Sequence, residues 1–195
     1  MENKIFFDLT NSLIGLERKF NFKDPLPPTP RKSGKGAPYT FTGKYSIDNL
    51  KRVINAAGGK IDPAFLSGLA MTESGIGKKG DTNLFHVNMD EHAVGGEALL
   101  DYLAAKTYKE KGKVLDDFTV RKLSEFLNQG LTQVGAAQKW QTGSGKINKN
   151  AIREGKRVVG FAQSFRENPT FQTLLSEYAI EHPQSIRKGV KYADK

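Results

Sequence analysis

Apolar residues recur at spacings of three and four along most of the chain, which is the pattern of amphipathic α-helices. The spacing is present in residues 2–22, and it predicts later helices near 95–110, 120–128, 131–140, 150–166 and 170–181. Residues 80–94 lack it and are predicted to be irregular or β-like. The pattern therefore predicts a mainly α fold, or an α+β fold with a small irregular or β-like lobe.

Two more helices are predicted from their end signals. Ser46 is an N-cap residue ahead of an apolar stripe, and the glycines at 58 and 59 close that helix. Asp62 followed by Pro63 combines a capping side chain with proline at the first helical position, which marks the start of the next helix.

Prolines cluster between residues 23 and 38 among Lys, Gly and Ser, a composition that favours an extended tether. We therefore expect residues 1–44 to form an N-terminal arm and linker, and residues 45–195 to form one domain. The alternative is that the arm packs back on the main domain.

Glu73 stands at the end of an apolar run. It follows Leu66 by seven residues and Leu69 by four, so it belongs to the buried stripe of its helix, which Gly75 and Gly77 end. Partial burial and the negative end of the helix dipole both raise a glutamate pKa. A carboxylic acid that is still protonated near neutral pH can act as a general acid. The alternative is a solvent-facing Glu73 paired with Lys78 or Lys79.

Two segments resemble peptidoglycan-cleaving enzymes. Residues 70–75, AMTESG, resemble the helix-end E-S-G signature of lysozyme-like lytic transglycosylases, and TESGIGKKGDTNLFHVN is similar to flagellar and autolysin glucosaminidases. His86 stands where the latter family has glycine. Residues 135–148, GAAQKWQTGSGKIN, resemble the later transglycosylase segment A-x-A-Y-N-A-G-x-G, with Trp140 at the aromatic position and Gln141 at the amide position.

The resemblance implies a lysozyme-like catalytic domain that cleaves β-1,4 glycan strands of peptidoglycan, with Glu73 as general acid and base. A transglycosylase needs this one acid, whereas a hydrolase needs a water or a second carboxylate. The candidates for this second carboxylate in the irregular stretch are Asp81, Asp90 and Glu91. We choose Asp90 as the second catalytic residue. The residues expected to bind substrate are Ser74, Asn83, Phe85, Tyr102, Trp140 and Gln141, the aromatic ones by stacking on sugar faces.

The chain has 195 residues, a net charge of +9 and no cysteine, which excludes disulfides and thiolate chemistry. The positive charge suits an anionic partner: an acidic wall polymer, nucleic acid or a membrane surface. The three histidines have no metal-ligand spacing, so no metal and no cofactor are expected.

No apolar run is long enough to span a membrane, and the N-terminus does not have the pattern of a signal peptide. We therefore expect a wall-degrading protein delivered as a phage virion component or lysis protein, with residues 1–44 contacting other virion proteins. The alternative is a non-catalytic structural or nucleic-acid-binding module of a phage particle with a degenerate lysozyme-like domain. No helix-turn-helix, RNP or finger signature supports nucleic-acid binding.

Overall fold

A computed structural model describes residues 46–76, 82–89, 96–143 and 146–182 of the chain. Within these ranges it is helical with irregular connections and without strands, so the mainly α prediction is confirmed there. The predicted arm and linker, 1–44, lie outside the described residues. The helices are α1 (Ile47–Ala57), α2 (Pro63–Glu73), α3 (Glu97–Ala104), α4 (Tyr108–Asn128), α5 (Gln133–Thr142), α6 (Lys149–Arg166) and α7 (Pro169–Glu181).

Both predicted helix starts are confirmed. The Ser46 hydroxyl accepts a hydrogen bond from the backbone N–H of Asn49 at 3.2 Å, and α1 ends at Gly58 with φ 54°. The Asp62 carboxylate accepts one from the backbone N–H of Ala64 at 2.9 Å, with proline at the first position of α2. These caps satisfy N–H groups that have no partner within the helix.

The prediction for residues 95–128 was wrong in its boundaries. Helix α3 stops at Ala104, and Thr107 starts a new helix through a capping box: Glu110 N–H donates to the Thr107 hydroxyl at 3.1 Å, and Thr107 N–H donates to the Glu110 carboxylate at 2.9 Å. Helix α4 then continues without a break to Asn128. The Thr-x-x-Glu spacing is the signal for this start.

Arg52 explains why α4 contains a glycine. Its guanidinium donates to both carboxylate oxygens of Asp116, at 2.6 and 2.8 Å, and to the carbonyl oxygens of Thr82 and Gly112, at 2.8 and 3.0 Å. A Cβ atom at residue 112 would lie 2.8 Å from the Arg52 Nη2 atom. Arg52 therefore joins α1, α4 and the segment 82–89, and the absence of a side chain at Gly112 makes room for it.

Helix α2 is the centre of the core, since every residue from Pro63 to Met71 is buried. It approaches α6 closely at Gly68, where a Cβ atom would lie 2.3 Å from the carbonyl oxygen of Val158. Helix α5 approaches α6 in the same way at Gly155, where a Cβ atom would lie 3.0 Å from the carbonyl oxygen of Val134. These backbone approaches fix α2 and α5 on one common helix.

A polar cluster joins the same three helices at the opposite end of α2 from Glu73. Asp62 forms an ion pair with Arg166 and accepts a hydrogen bond from the Gln133 amide at 3.1 Å. Arg166 also donates to the Gln133 side-chain oxygen at 3.2 Å.

Among the described residues, no helix combines the length and the apolar character needed to cross a bilayer.

Candidate active site

Glu73 is the last residue of α2 and is followed by a tight turn. Gly75 and Ile76 have left-handed φ values of 68° and 59°, and the Ile76 N–H donates to the Ala70 carbonyl at 3.2 Å. Ile76 is fully buried, and its carbonyl accepts a hydrogen bond from the Asn49 side chain at 3.1 Å. The turn is therefore anchored to the core and to α1, which fixes the end of the helix that carries the carboxyl group.

The Glu73 carboxyl is largely shielded from solvent, with 13% of the side chain exposed. Gln141, in the last turn of α5, donates from its amide nitrogen to the Glu73 Oε1 atom. The two residues lie 68 positions apart in the sequence. The alternative of a freely solvent-facing Glu73 does not describe this geometry, and its suggested partners Lys78 and Lys79 lie outside the described residues.

Burial raises the pKa of Glu73 from 4.5 to about 7. The hydrogen bond from Gln141 opposes this by stabilising the ionised form. On α6, the negative charge of Glu154 raises the pKa further and the positive charge of Arg157 lowers it. Glu154 and Arg157 are themselves paired at 3.5 Å. Near neutral pH a large fraction of Glu73 therefore retains its proton, as a general acid requires.

The segment 82–89 passes beside Glu73 and is held by Asn83. The Asn83 side chain donates to the Val87 carbonyl at 2.9 Å and accepts from the Val87 N–H at 2.8 Å. The loop between them places His86 in the left-handed region, with φ 48°. The His86 side chain is 59% exposed, and its Nδ1 atom lies 3.9 Å from the Glu73 Oε2 atom.

A cleft of about 470 Å³ opens next to His86, between this loop and α3. Amide, imidazole and phenol groups line it together with apolar side chains, a mixture suited to a ligand that offers both hydroxyls and apolar faces. The Tyr102 ring in this lining also makes a cation–π contact with the Lys111 ammonium nitrogen, which lies 5.3 Å from the ring centre. The lining residues are Asn83, His86, Val87, Asn88, Met89, Leu99, Tyr102 and Leu103.

Some residues predicted from the sequence meet at this site. Glu73 and Gln141 are in contact, and Asn83 and Tyr102 line the cleft. Trp140, next to Gln141 on α5, is half-buried and packs against the core. Asn83 also has a structural role that the sequence did not reveal, since it braces the loop that carries His86.

Other predicted residues do not take their expected places. Phe85 is 1% exposed and belongs to the core, so the prediction that it stacks on a sugar was wrong. The Ser74 hydroxyl donates to the Ala70 carbonyl at 3.0 Å, which is the bond of a helix-end residue. Asp90, proposed as a second carboxylate, lies outside the described residues, as do Asp81 and Glu91.

Two ionisable side chains with specific surroundings were not predicted. His86 was noted only as a departure from glycine, although histidine is one of the residues enriched in left-handed turns. Asp116, a second buried carboxyl, gave no sequence signal of its own. Within the described part of the chain, no group of three His, Asp or Glu residues is arranged to hold a metal ion.

Neither a family model, nor a curated protein, nor a solved structure matches the chain. The function therefore has to be inferred from the residues of the site and from their chemistry.

Proposed function

We propose that the protein is a peptidoglycan-cleaving glycosidase of the lysozyme-like class, either a lytic transglycosylase or a hydrolase, with Glu73 as general acid and base. The observation that carries this proposal is the contact between Glu73 and Gln141. It joins the two segments whose sequences resemble such enzymes, at a largely buried carboxyl that keeps a proton near neutral pH. The cleft offers room for a sugar ring; Glu73 is not in its lining, but His86 is, and the His86 Nδ1 atom lies 3.9 Å from the Glu73 Oε2 atom.

In the proposed reaction, neutral Glu73 gives its proton to the glycosidic oxygen while the bond from that oxygen to the anomeric carbon breaks. The anomeric carbon gains oxocarbenium character, and Glu73 is left as a carboxylate. Glu73 then accepts the proton of the attacking hydroxyl as the new bond to the anomeric carbon forms. In a transglycosylase that hydroxyl belongs to the sugar itself and closes an anhydro ring, whereas in a hydrolase it belongs to water.

The net charge of +9 supports the choice of substrate. Wall peptides and wall polymers carry carboxylates and phosphates, which attract a basic protein over several ångströms at moderate ionic strength. We expect binding to purified walls to weaken as salt is added, because screening shortens the range of this attraction.

Digestion of purified peptidoglycan by the wild type and by Glu73→Gln tests the proposal, with mass analysis of the products. Anhydro ends indicate a transglycosylase, and reducing ends indicate a hydrolase. Glu125→Gln is a matched control, because Glu125 is a half-exposed glutamate paired with Lys122 at the surface of α4. If the folded wild type released no glycan fragments, the proposal would be wrong and a non-catalytic module would take its place.

Delivery as a phage virion component or lysis protein also belongs to this proposal, with residues 1–44 as the contact to other virion proteins. It is motivated by the proline-rich tether in the sequence. Deleting residues 1–40 is expected to abolish incorporation into particles and to leave wall cleavage intact. Unchanged incorporation would contradict the anchoring role.

A further inference from the structure

The two oxygens of the Glu73 carboxyl face different neighbours. Oε1 accepts a hydrogen bond from the amide nitrogen of Gln141, and an amide nitrogen carries only donor hydrogens. The carbonyl oxygen of a neutral carboxyl is a better acceptor than its hydroxyl oxygen, so this bond favours Oε1 as the carbonyl oxygen and Oε2 as the site of the acid proton. Among the described residues, the group at ion-pair distance from Oε2 is the imidazole of His86, whose Nδ1 atom lies 3.9 Å away.

The backbone holds His86 at this position against its own preference. A φ of 48° favours glycine, yet the residue carries a bulky ring. Three hydrogen bonds fix the turn: the two between Asn83 and Val87, and one from the His86 N–H to the Asn83 carbonyl at 3.3 Å. The flanking residues Leu84 and Phe85 are buried and anchor the turn in the core. The turn thus holds the imidazole in the lining of the cleft, with its Nδ1 atom 3.9 Å from the Glu73 Oε2 atom.

We propose that His86 is a positioning residue for Glu73, which keeps the acid proton on Oε2 and stabilises the carboxylate left after that proton has moved to the substrate. This inference rests on the function proposed above. At 3.9 Å the two atoms are not hydrogen-bonded, so this role requires the imidazole, which is 59% exposed, to turn until the two atoms reach hydrogen-bond distance. The imidazole can accept from the protonated oxygen and, through an N–H, donate to the ionised one.

Other charged groups near Glu73 do not duplicate this role. Among the described residues they are Glu154 and Arg157, both on α6, and they act on the carboxyl in opposite directions. They also pair with each other at 3.5 Å, and their effects on the Glu73 carboxyl partly cancel. Gln141 acts from α5 on the other oxygen. His86 is therefore the group in the described structure that serves Oε2.

The test is a titration of the Glu73 carboxyl, followed by carbon NMR in the full-length protein. His86→Gly removes the ring and suits the left-handed backbone, so the variant is expected to fold at least as well as the wild type. His86→Asn is a second variant that tolerates this backbone and keeps a polar side chain. His182→Asn is the matched control, because it removes an imidazole that contacts Tyr178 at the end of α7.

We expect His86→Gly to raise the pKa of Glu73 by about half a unit or more, because the N–H donated to the carboxylate stabilises the ionised form more than the accepting imidazole nitrogen stabilises the neutral acid. His86→Asn should give a smaller rise, and His182→Asn none. The alkaline limit of wall cleavage should move to higher pH with the same order of variants, mainly through kcat.

An unchanged Glu73 titration in His86→Gly would overturn the inference. An equal rise in His182→Asn would do the same, because the effect would then not come from the site. A rise in KM with unchanged titration would also overturn it and make His86 a simple substrate contact. Because the titration needs no substrate, a wild type that fails to cleave peptidoglycan would refute the proposed function alone.

Discussion

Glu73 and Asp116 are both buried carboxyl groups, yet they have different surroundings. Burial raises the pKa of Glu73 to about 7 and that of Asp116 to about 6. Both oxygens of Asp116 accept hydrogen bonds from the Arg52 guanidinium, at 2.6 and 2.8 Å. Glu73 has an amide donor on one oxygen and, at 3.9 Å from the other, an exposed imidazole.

The difference shows that burial alone does not make a carboxyl group chemically useful. Arg52 opposes the burial effect at Asp116 by hydrogen bonding and by charge, so near neutral pH the pair is ionised and joins two helices. Within the described part of the chain, Glu73 has no Lys or Arg at ion-pair distance, and its Oε2 atom lies 3.9 Å from the exposed imidazole of His86, which lines the cleft. Burial therefore keeps a large fraction of Glu73 protonated near neutral pH.

The sharpest test of the comparison is the rate of wall cleavage. Glu73→Gln is expected to lower kcat by about 10²- to 10⁴-fold, because the amide cannot donate an acidic proton. Asp116→Asn should leave kcat per folded molecule nearly unchanged. Turbidity loss of a wall suspension measures both, at a temperature where both variants are folded. A comparable loss of kcat in Glu73→Gln and Asp116→Asn would mean that the two carboxyl groups do not differ in their role in cleavage.

The second test concerns stability, for which we expect the large effect at Asp116. Asp116→Asn is expected to lower the free energy of unfolding by about 3 kcal/mol, since it leaves the partly buried Arg52 without its anionic partner. Urea denaturation measures this loss. Glu125→Gln, which breaks the exposed pair with Lys122, is the control and should cost less than about 1 kcal/mol. If Asp116→Asn lost no more free energy of unfolding than the control, the Arg52–Asp116 pair would not be important for stability.

The third test uses the pH dependence of stability. The folded-state pKa of Glu73 lies above its unfolded value, so its contribution to stability is fully present below pH 4.5 and is lost as the pH rises through about 7. Across this window, the stability of the wild type should fall relative to that of Glu73→Gln by at most about 3 kcal/mol. Thermal unfolding of both proteins at several pH values measures the difference. Parallel curves would mean that Glu73 is not desolvated.

The smallest expected effect concerns the amide donor. Gln141→Leu removes the hydrogen bond that favours ionised Glu73, so the pKa of Glu73 should rise above 7, by about one unit or less. Gln163→Leu on α6 is the control, because that amide bonds to Glu167 instead. Carbon NMR titration distinguishes them. A fall in the Glu73 pKa would contradict the assignment of Gln141 as a donor to Oε1.

Local signals predicted the helix ends well. Helix ends at Ser46, Asp62 and Gly58 are set by contacts with residues a few positions away in the chain. The local sequence is therefore enough to predict them. The position of Glu73 at the end of α2 followed in the same way from Gly75. The break between α3 and α4 was also encoded locally, by Thr107 and Glu110, but apolar spacing alone does not reveal it.

Contacts over long sequence distances could not be predicted in this way. Arg52 and Asp116 are 64 residues apart, and the local sequence around either residue does not identify the other as its partner. The apolar stripe predicted for α2 did not single out one buried face, because a helix buried from Pro63 to Met71 has no polar side in that range. Gln141 was found only through a resemblance of motifs. The imidazole beside Glu73 depends on the fold of the segment 82–89, which has no periodicity.

The close approach at Gly68 has a consequence for random mutagenesis. Gly68 lies five residues before Glu73, on a helix whose backbone rests directly on that of α6. An added methyl group there has to displace one helix from the other, and the carboxyl at the end of α2 travels with it. Selection of variants for an altered acid optimum should therefore recover substitutions at Gly68, a residue that touches neither the cleft nor the proton.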